Sequence, residues 1–196
     1  MKENPGETVF DVFAELKVYL NDMAGAHWFA TDGLRQQSEV WRERNAHHDK
    51  PDATVWVGIG SPTSQPFVPY HSWPMKQLPD RLLGPVSDLV GHQWVVAVYT
   101  AWESEYRPRA LKAMGQEEGQ VWPLMGDLRL LRNDIVHHRG IATKNNSGRC
   151  KDLADWVTVG QVISLSKIHV ADFMMRAGLA EVQTPPPDDT SWEPVD

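Results

Sequence analysis

The sequence predicts an all-α protein, an antiparallel bundle of four or five helices that carries a Pro-rich loop insertion. Apolar residues recur at spacings of three and four along most of the chain, which is the helical period. The one β-like run, Thr54–Ile59, falls inside the insertion. A chain of 196 residues can bury roughly 70% of its unfolded surface. It therefore needs neither a disulfide nor a metal to fold.

The first quarter of the chain predicts two helices, at residues 7–24 and 26–48. Leu16 and Leu20 belong to the apolar face of the first helix. Gly25 separates the two helices, because glycine weakens a helix interior.

Residues 49–77 change character, because they hold five prolines. This composition indicates a long loop, in which Thr54–Ile59 is a candidate for one half of a small strand pair. A loop of this length in a compact domain is often functional, and a family-specific insertion is the alternative.

Helical spacing returns at residues 78–114, which predict a largely buried central helix. Pro108 is expected to end or kink it. Residues 120–139 form the next predicted helix, and a short one follows at about 149–156. We expect these helices to lie within one domain.

The end of the chain predicts one more helix and a tail. Thr158-Val-Gly-Gln161 fits a capping box that opens a helix running to about Gly178. Residues 1–183 are therefore interpreted as a single helical domain. Residues 184–196 are Pro-rich and acidic, and we expect them to be disordered.

Composition restricts the function classes. The net charge of −7 argues against a general nucleic-acid coat protein, but residues 127–151 hold six Lys or Arg against two Asp. A local basic site on an acidic protein is one interpretation, and the ordinary enrichment of basic residues at helix ends is the other.

The cysteine content and the apolar runs indicate the compartment. Cys150 is the only cysteine, the first residues lack the apolar core of a signal peptide, and no run is long enough for a membrane span. We therefore expect a soluble, cytoplasmic protein.

The predicted helix at 120–139 carries the main candidate site. Arg129, Asn133 and His137 are four residues apart, so they form one polar stripe beside an apolar stripe of leucines. Gly140 stands where a left-handed cap would end the helix. An arginine, an asparagine and a histidine at one helix end indicate an anion site with a titratable base.

The run Arg132-Asn-Asp-Ile-Val-His137, followed by His-Arg-Gly140, resembles the motif of the HEPN superfamily (higher eukaryotes and prokaryotes nucleotide-binding). That motif is an arginine, four to six residues and a histidine, often with a polar residue after the arginine. The resemblance covers roughly residues 78–180. It implies a small helical bundle that dimerises across two motifs, and in many members a metal-independent endoribonuclease of toxin–antitoxin or defence systems. A second pair at the same spacing, Arg42 and His47, lacks the amphipathic frame and the glycine cap.

Chemistry gives each motif residue a role. Metal-free RNA cleavage requires the 2′-hydroxyl to attack the adjacent phosphorus, and a histidine, whose ordinary pKa is about 6.5, suits the base. We assign that role to His137, phosphorane stabilisation to Arg132, and orientation of the base or substrate to Asn133. Arg129 and Arg139 are candidate RNA-backbone contacts.

Glu103 and Arg107 are candidate RNA-binding residues at the polar end of the preceding helix. His138 lies on the apolar stripe, and we expect it in the core or in an interface. Structural readings remain open for the others: Arg132 could pair with Asp127 or Glu103, and His137 could simply complement the helix dipole.

One histidine and one arginine per chain leave no separate general acid, so a homodimer through the motif face is expected. RNA and an antitoxin protein are the other candidate partners, and we expect no cofactor or metal ion. Two alternatives stay open: a non-catalytic HEPN-like module that binds RNA, a nucleotide or a protein, and a helical interaction protein.

Overall fold

The computed structural model describes residues 6–47, 53–59, 68–119 and 122–179. The described chain is mostly helical and contains one two-stranded antiparallel sheet, which confirms the predicted helical class. None of its helices combines the length and the apolar character that crossing a membrane requires. The tail predicted at 184–196 lies outside the described residues.

Helix α1 runs without a break from Val9 to His47. The predicted interruption at Gly25 is therefore wrong. Glycine costs a helix interior only about 1 kcal/mol, and packing on both sides of Gly25 outweighs that cost, since Leu20 and His27 are both buried. The long helix consequently spans one side of the molecule.

Strands β1 (Thr54–Ile59) and β2 (Val68–Pro74) pair antiparallel, with an irregularity in register between Val57 and Gly58. This pairing confirms the predicted strand pair. Residues 49–52 and 60–67 of the Pro-rich insertion lie outside the described part of the chain.

The predicted helix at 78–114 is one helical path made of three α-helices and two π-helical turns. These are α2 (Leu78–Arg81), a π turn (Leu82–Val86), α3 (Ser87–Ala101), a second π turn (Trp102–Tyr106) and α4 (Arg107–Ala113). The first π turn contains Pro85, and Pro108 follows the second π turn after one intervening residue. A widened turn accommodates a residue that lacks an N–H, so the expectation that Pro108 ends the helix is wrong.

Helix α5 (Pro123–His137) is the helix predicted at 120–139. The chain after it is less helical than predicted. Two single 3₁₀ turns, Ser147–Arg149 and Ala154–Trp156, replace the short helix expected at 149–156.

The last helix, α6, runs from Lys167 to Arg176 and is capped by Ser166, which forms the capping box with His169. The predicted cap at Thr158 is wrong, because Thr158 begins a turn, closed by the Gln161 N–H on the Thr158 carbonyl, and the residues after it pair with the segment that follows α5. There Ala142 donates to the Gln161 carbonyl at 2.9 Å.

A continuous apolar core joins the helices. Trp94 of α3 meets Phe173 of α6 edge to face, with ring centroids 5.3 Å apart. The core also takes residues from α1, from α5 and from the segment between α5 and α6, such as Leu16, Leu128 and Leu153. The inner face of α5 is thereby fixed, and its polar stripe points away from the core.

Candidate functional site

Two consecutive left-handed residues follow the end of α5, and the second of them is the predicted cap, Gly140. Arg139 has φ +55° and Gly140 has φ +74°. Gly140 is buried, and a Cβ atom at this position would collide with the imidazole of His92. Glycine is therefore required here both by conformation and by space.

Asp134, the residue after Asn133, is completely buried on the inner face of α5. Its carboxylate accepts five hydrogen bonds from the loop that follows the helix. Two come from the backbone N–H and side chain of Thr143, one from the Asn146 amide, and two from the N–H and hydroxyl of Ser147. One carboxylate thus holds the loop against the helix end.

The environment of Asp134 changes its acidity. Burial by itself raises the pKa, but the hydrogen bonds from Ser147, Thr143 and Asn146 outweigh burial and lower the pKa to about 2. The carboxylate is therefore ionised and satisfied at neutral pH, and it is not a candidate acid or base for chemistry.

Asp127 has the same role two turns earlier on α5. It is buried and accepts backbone N–H groups from Lys151, Asp152 and Leu153 at 2.6–2.9 Å. The neighbouring Cys150 is also buried, and burial together with the two aspartates raises the pKa of its thiol to about 12. The thiol of Cys150 therefore stays protonated at neutral pH.

Burial of these two aspartates determines the surface charge of residues 127–151. Asp127 and Asp134 are the only acids in that segment, and both are turned inward. Of its six cations, five are exposed and Arg132 is half-buried; they are Arg129, Arg132, Arg139, Lys144, Arg149 and Lys151. None of the six forms an ion pair with an acid in the described part of the chain. We call these six residues the cationic surface.

Two of the predicted motif residues are in contact. Arg132 donates from Nη1 to Oδ1 of Asn133 at 3.3 Å. The Nε atom of Arg132 is buried and has no hydrogen-bond partner among the described residues. The structural pairing of Arg132 with Asp127 or Glu103 is not formed, since those carboxylates bond other groups. The guanidinium thus keeps unused donors.

His137 is the last residue of α5, and its side chain is exposed. Its ring makes no hydrogen bond to another described residue. His138 and Arg139 are exposed as well. The core alternative for His138 is therefore wrong, while the interface alternative remains a prediction.

Three other candidate residues line a cavity of about 240 Å³, here called the Glu103 cavity. They are Glu103, Arg107 and Arg129. The Tyr99 hydroxyl donates to Glu103 at 3.0 Å, and Arg107 lies 3.6 Å from the other carboxylate oxygen. Burial and the Glu103 carboxylate raise the pKa of Tyr99, so its hydroxyl remains a donor at neutral pH. The structure thus separates this cavity from the exposed histidine at the helix end.

Sequence reasoning missed the aspartates that anchor the loop. The available signal was their spacing, since Asp127 and Asp134 are seven residues apart on the leucine stripe, where a charge must find partners. Across the described ranges, no group of three or more His, Cys, Asp or Glu is arranged to hold a metal ion.

No family model, curated protein or solved structure that was compared with the chain matches it.

Proposed function

We propose that the chain is a HEPN-type helical bundle and a metal-independent endoribonuclease, with its active site at the C-terminal end of α5. The observation that carries the proposal is that the motif side chains are free to meet a ligand. Arg132 retains unpaired donors, His137 is exposed, and neither is committed to a carboxylate of the described chain. Arg132 is half-buried beside Asn133, so an anion that reaches this part of α5 would meet its unused donors.

The electrostatics of the site support an anionic substrate. Arg129, Arg132 and Arg139 of the cationic surface lie on α5 or within two residues of its end, as the motif does, and the two acids of the segment are buried. A polyanion such as RNA therefore meets cations on this surface, although the whole chain carries −7.

The reaction follows from these groups. His137 takes the proton of a 2′-hydroxyl as its oxygen attacks the adjacent phosphorus. Arg132 stabilises the charge that develops on the phosphorane oxygens. The bond from phosphorus to the 5′-oxygen then breaks, leaving a 2′,3′-cyclic phosphate, and the leaving oxygen takes a proton from a general acid.

A second copy of the chain supplies that acid in this proposal. Apolar side chains are exposed around the motif: Val136 is 47% exposed, Ile141 36% and Val162 50%. Ile141 and Val162 are bridge partners, so they are adjacent. Burial of this patch between two copies would bring two His137 side chains to one cleft, each able to act as the acid for the other. An antitoxin or another defence protein is the further partner that this proposal assigns to the dimer.

The test compares RNA cleavage in EDTA by the wild type and by His137→Ala, Arg132→Gln and His47→Ala. His47→Ala is the matched control, because Arg42 and His47 repeat the motif spacing, whereas His47 Nδ1 is only 2.8 Å from the Glu43 carbonyl of its own helix. The wild type and the control should cleave and leave cyclic-phosphate ends. The two motif variants should be slower by roughly 100-fold or more.

Two results would contradict the proposal. Equal cleavage by wild type and His137→Ala would place the activity elsewhere or in a contaminant. Absence of cleavage by every protein on RNAs of varied sequence would reject the nuclease and leave the binding module as the better account.

A further inference from the structure

The Glu103 cavity opens between the second π turn, the start of α4 and the first half of α5. Its lining contains aromatic side chains, one acidic residue and two basic residues. The lining residues are Tyr99, Trp102, Glu103, Arg107, Gly119, Trp122, Met125, Gly126 and Arg129. At about 240 Å³ it is smaller than the roughly 300 Å³ of a typical drug-sized site. It therefore suits a single planar ring system better than a whole nucleotide.

The carboxylate of Glu103 argues against a phosphate in this cavity, because it would repel the phosphate oxygens. A carboxylate accepts hydrogen bonds and so fits a ligand edge that carries N–H donors. Glu103 has capacity left, since its oxygens hold about four lone pairs, and from the described residues it accepts one hydrogen bond, from Tyr99, beside the ion pair with Arg107 at 3.6 Å. Arg107 donates to the Gly119 carbonyl at 3.2 Å and keeps further N–H groups.

Trp122 is the tryptophan of the lining that a ligand can reach, because it is half-buried whereas Trp102 is buried. The two rings meet edge to face, with centroids 5.8 Å apart. Stacking of a base on an aromatic side chain contributes about 1–3 kcal/mol and does not depend on which base is present. The polar groups of the cavity must therefore provide any discrimination between bases.

We infer that the Glu103 cavity binds a guanine base of single-stranded RNA. Guanine is the RNA base that presents two adjacent N–H donors, N1–H and N2–H₂, to one carboxylate, with the O6 acceptor beside them. Glu103 receives the two donors, and an N–H group of Arg107 reaches O6. Adenine has no N1–H, and its exocyclic amine stands where guanine has an acceptor.

The position of the cavity on α5 relates the bound guanine to the bond that would be cleaved. This part of the inference rests on the proposed function. Arg129 lines the cavity and lies eight residues before His137, which is about 12 Å along the helix axis. The guanine that enters the cavity is therefore not at the cleaved bond. It selects RNA through a neighbouring nucleotide while the cationic surface holds the backbone between them.

The experiment measures binding of three fluorescent RNA pentamers, UUGUU, UUAUU and UUUUU, to the full-length His137→Ala protein by anisotropy. We expect UUGUU to bind at least about tenfold more tightly than the other two. Adding Glu103→Gln should abolish that difference, since an amide places a donor against guanine N–H groups. Adding Glu105→Gln is the matched control: Glu105 is in the same π turn but pairs with Arg109, so the preference should remain.

Equal binding of the three pentamers, or no binding at all, would overturn the inference. So would a guanine preference that persists in the Glu103→Gln protein. These outcomes are separate from the test of cleavage. A guanine preference in a protein that cleaves nothing would support the cavity and reject the nuclease, and cleavage without that preference would do the reverse.

Discussion

Asp134 is the residue on which the geometry of the motif depends most directly. It adjoins Asn133 in sequence, yet it faces the core and not the solvent. Its backbone carbonyl also accepts the N–H groups of His138 and Gly140 at 2.9 and 3.1 Å. Side chain and backbone together therefore fix both the end of α5 and the loop beyond it.

Because the folded pKa of Asp134, about 2, lies below its ordinary value of 3.8, ionisation of this group stabilises the folded state. The contribution is roughly 2 kcal/mol. It is complete above about pH 4 and is lost as the pH falls towards 2. In Asp134→Asn, we expect a free energy of unfolding lower by at least about 2 kcal/mol at pH 7 and a weaker dependence on pH below 4, both measured by urea denaturation.

Two companion variants keep that prediction testable if Asp134→Asn does not fold. Thr143→Val removes one of the five hydrogen bonds and should cost about 1 kcal/mol. Asp22→Asn changes an exposed aspartate on α1 and should leave both stability and its pH profile unaltered. A profile for Thr143→Val that matches the wild type would show that the carboxylate network is not stabilising.

At the scale of elements, two helical glycines differ in the space available for a side chain. Gly25 in α1 has open space where a Cβ atom would stand. Gly91 in α3 is buried, and a Cβ atom there would lie 2.8 Å from both the Cβ atom and the carbonyl oxygen of Leu165. The second glycine thus permits close packing of α3 on the segment that leads into α6.

Alanine at these two positions should therefore change stability in opposite directions. Gly25→Ala should raise the free energy of unfolding by about 0.5–1 kcal/mol, because alanine reduces the entropy of the unfolded chain and favours helix. Gly91→Ala should lower it by roughly 1–3 kcal/mol through overpacking. Chemical denaturation of the two variants measures both effects, and a loss of stability in Gly25→Ala would contradict the continuous α1.

At the scale of the whole molecule, charge and apolar surface are unevenly distributed. The chain carries −7 overall, yet its segment 127–151 presents the cationic surface, and the exposed apolar residues Val136, Ile141 and Val162 lie at or after the end of α5. An exposed apolar patch next to a site that needs a second acid is what the proposed homodimer requires.

Val136→Asp should therefore shift the protein from dimer to monomer in analytical ultracentrifugation, because it places a charge in the proposed interface. Val18→Asp is the control, since Val18 is 61% exposed on α1, away from the motif. Both variants should retain the helical circular dichroism of the wild type. A wild type that is monomeric at all concentrations, or equal dissociation by the two variants, would contradict an interface on the motif face.

Several features were predictable from the sequence because they depend on residues close together in the chain. The period of Leu124, Leu128 and Leu131 gave α5 its inner face, and Gly140 marked its left-handed end. The apolar run at Thr54–Ile59 gave the first strand. Helical period, glycine caps and strand propensity are local properties, so a single sequence carries them.

Only the tertiary structure decided the features that depend on distant partners. The donors to Asp134 and Asp127 lie 9 to 26 residues away along the chain, and no local pattern selects them. The same holds for the continuity of α1 across Gly25, which packing maintains against propensity. It also holds for the meeting of Glu103 with Arg129 at one cavity, since two helices must pack before residues that far apart in sequence share a surface.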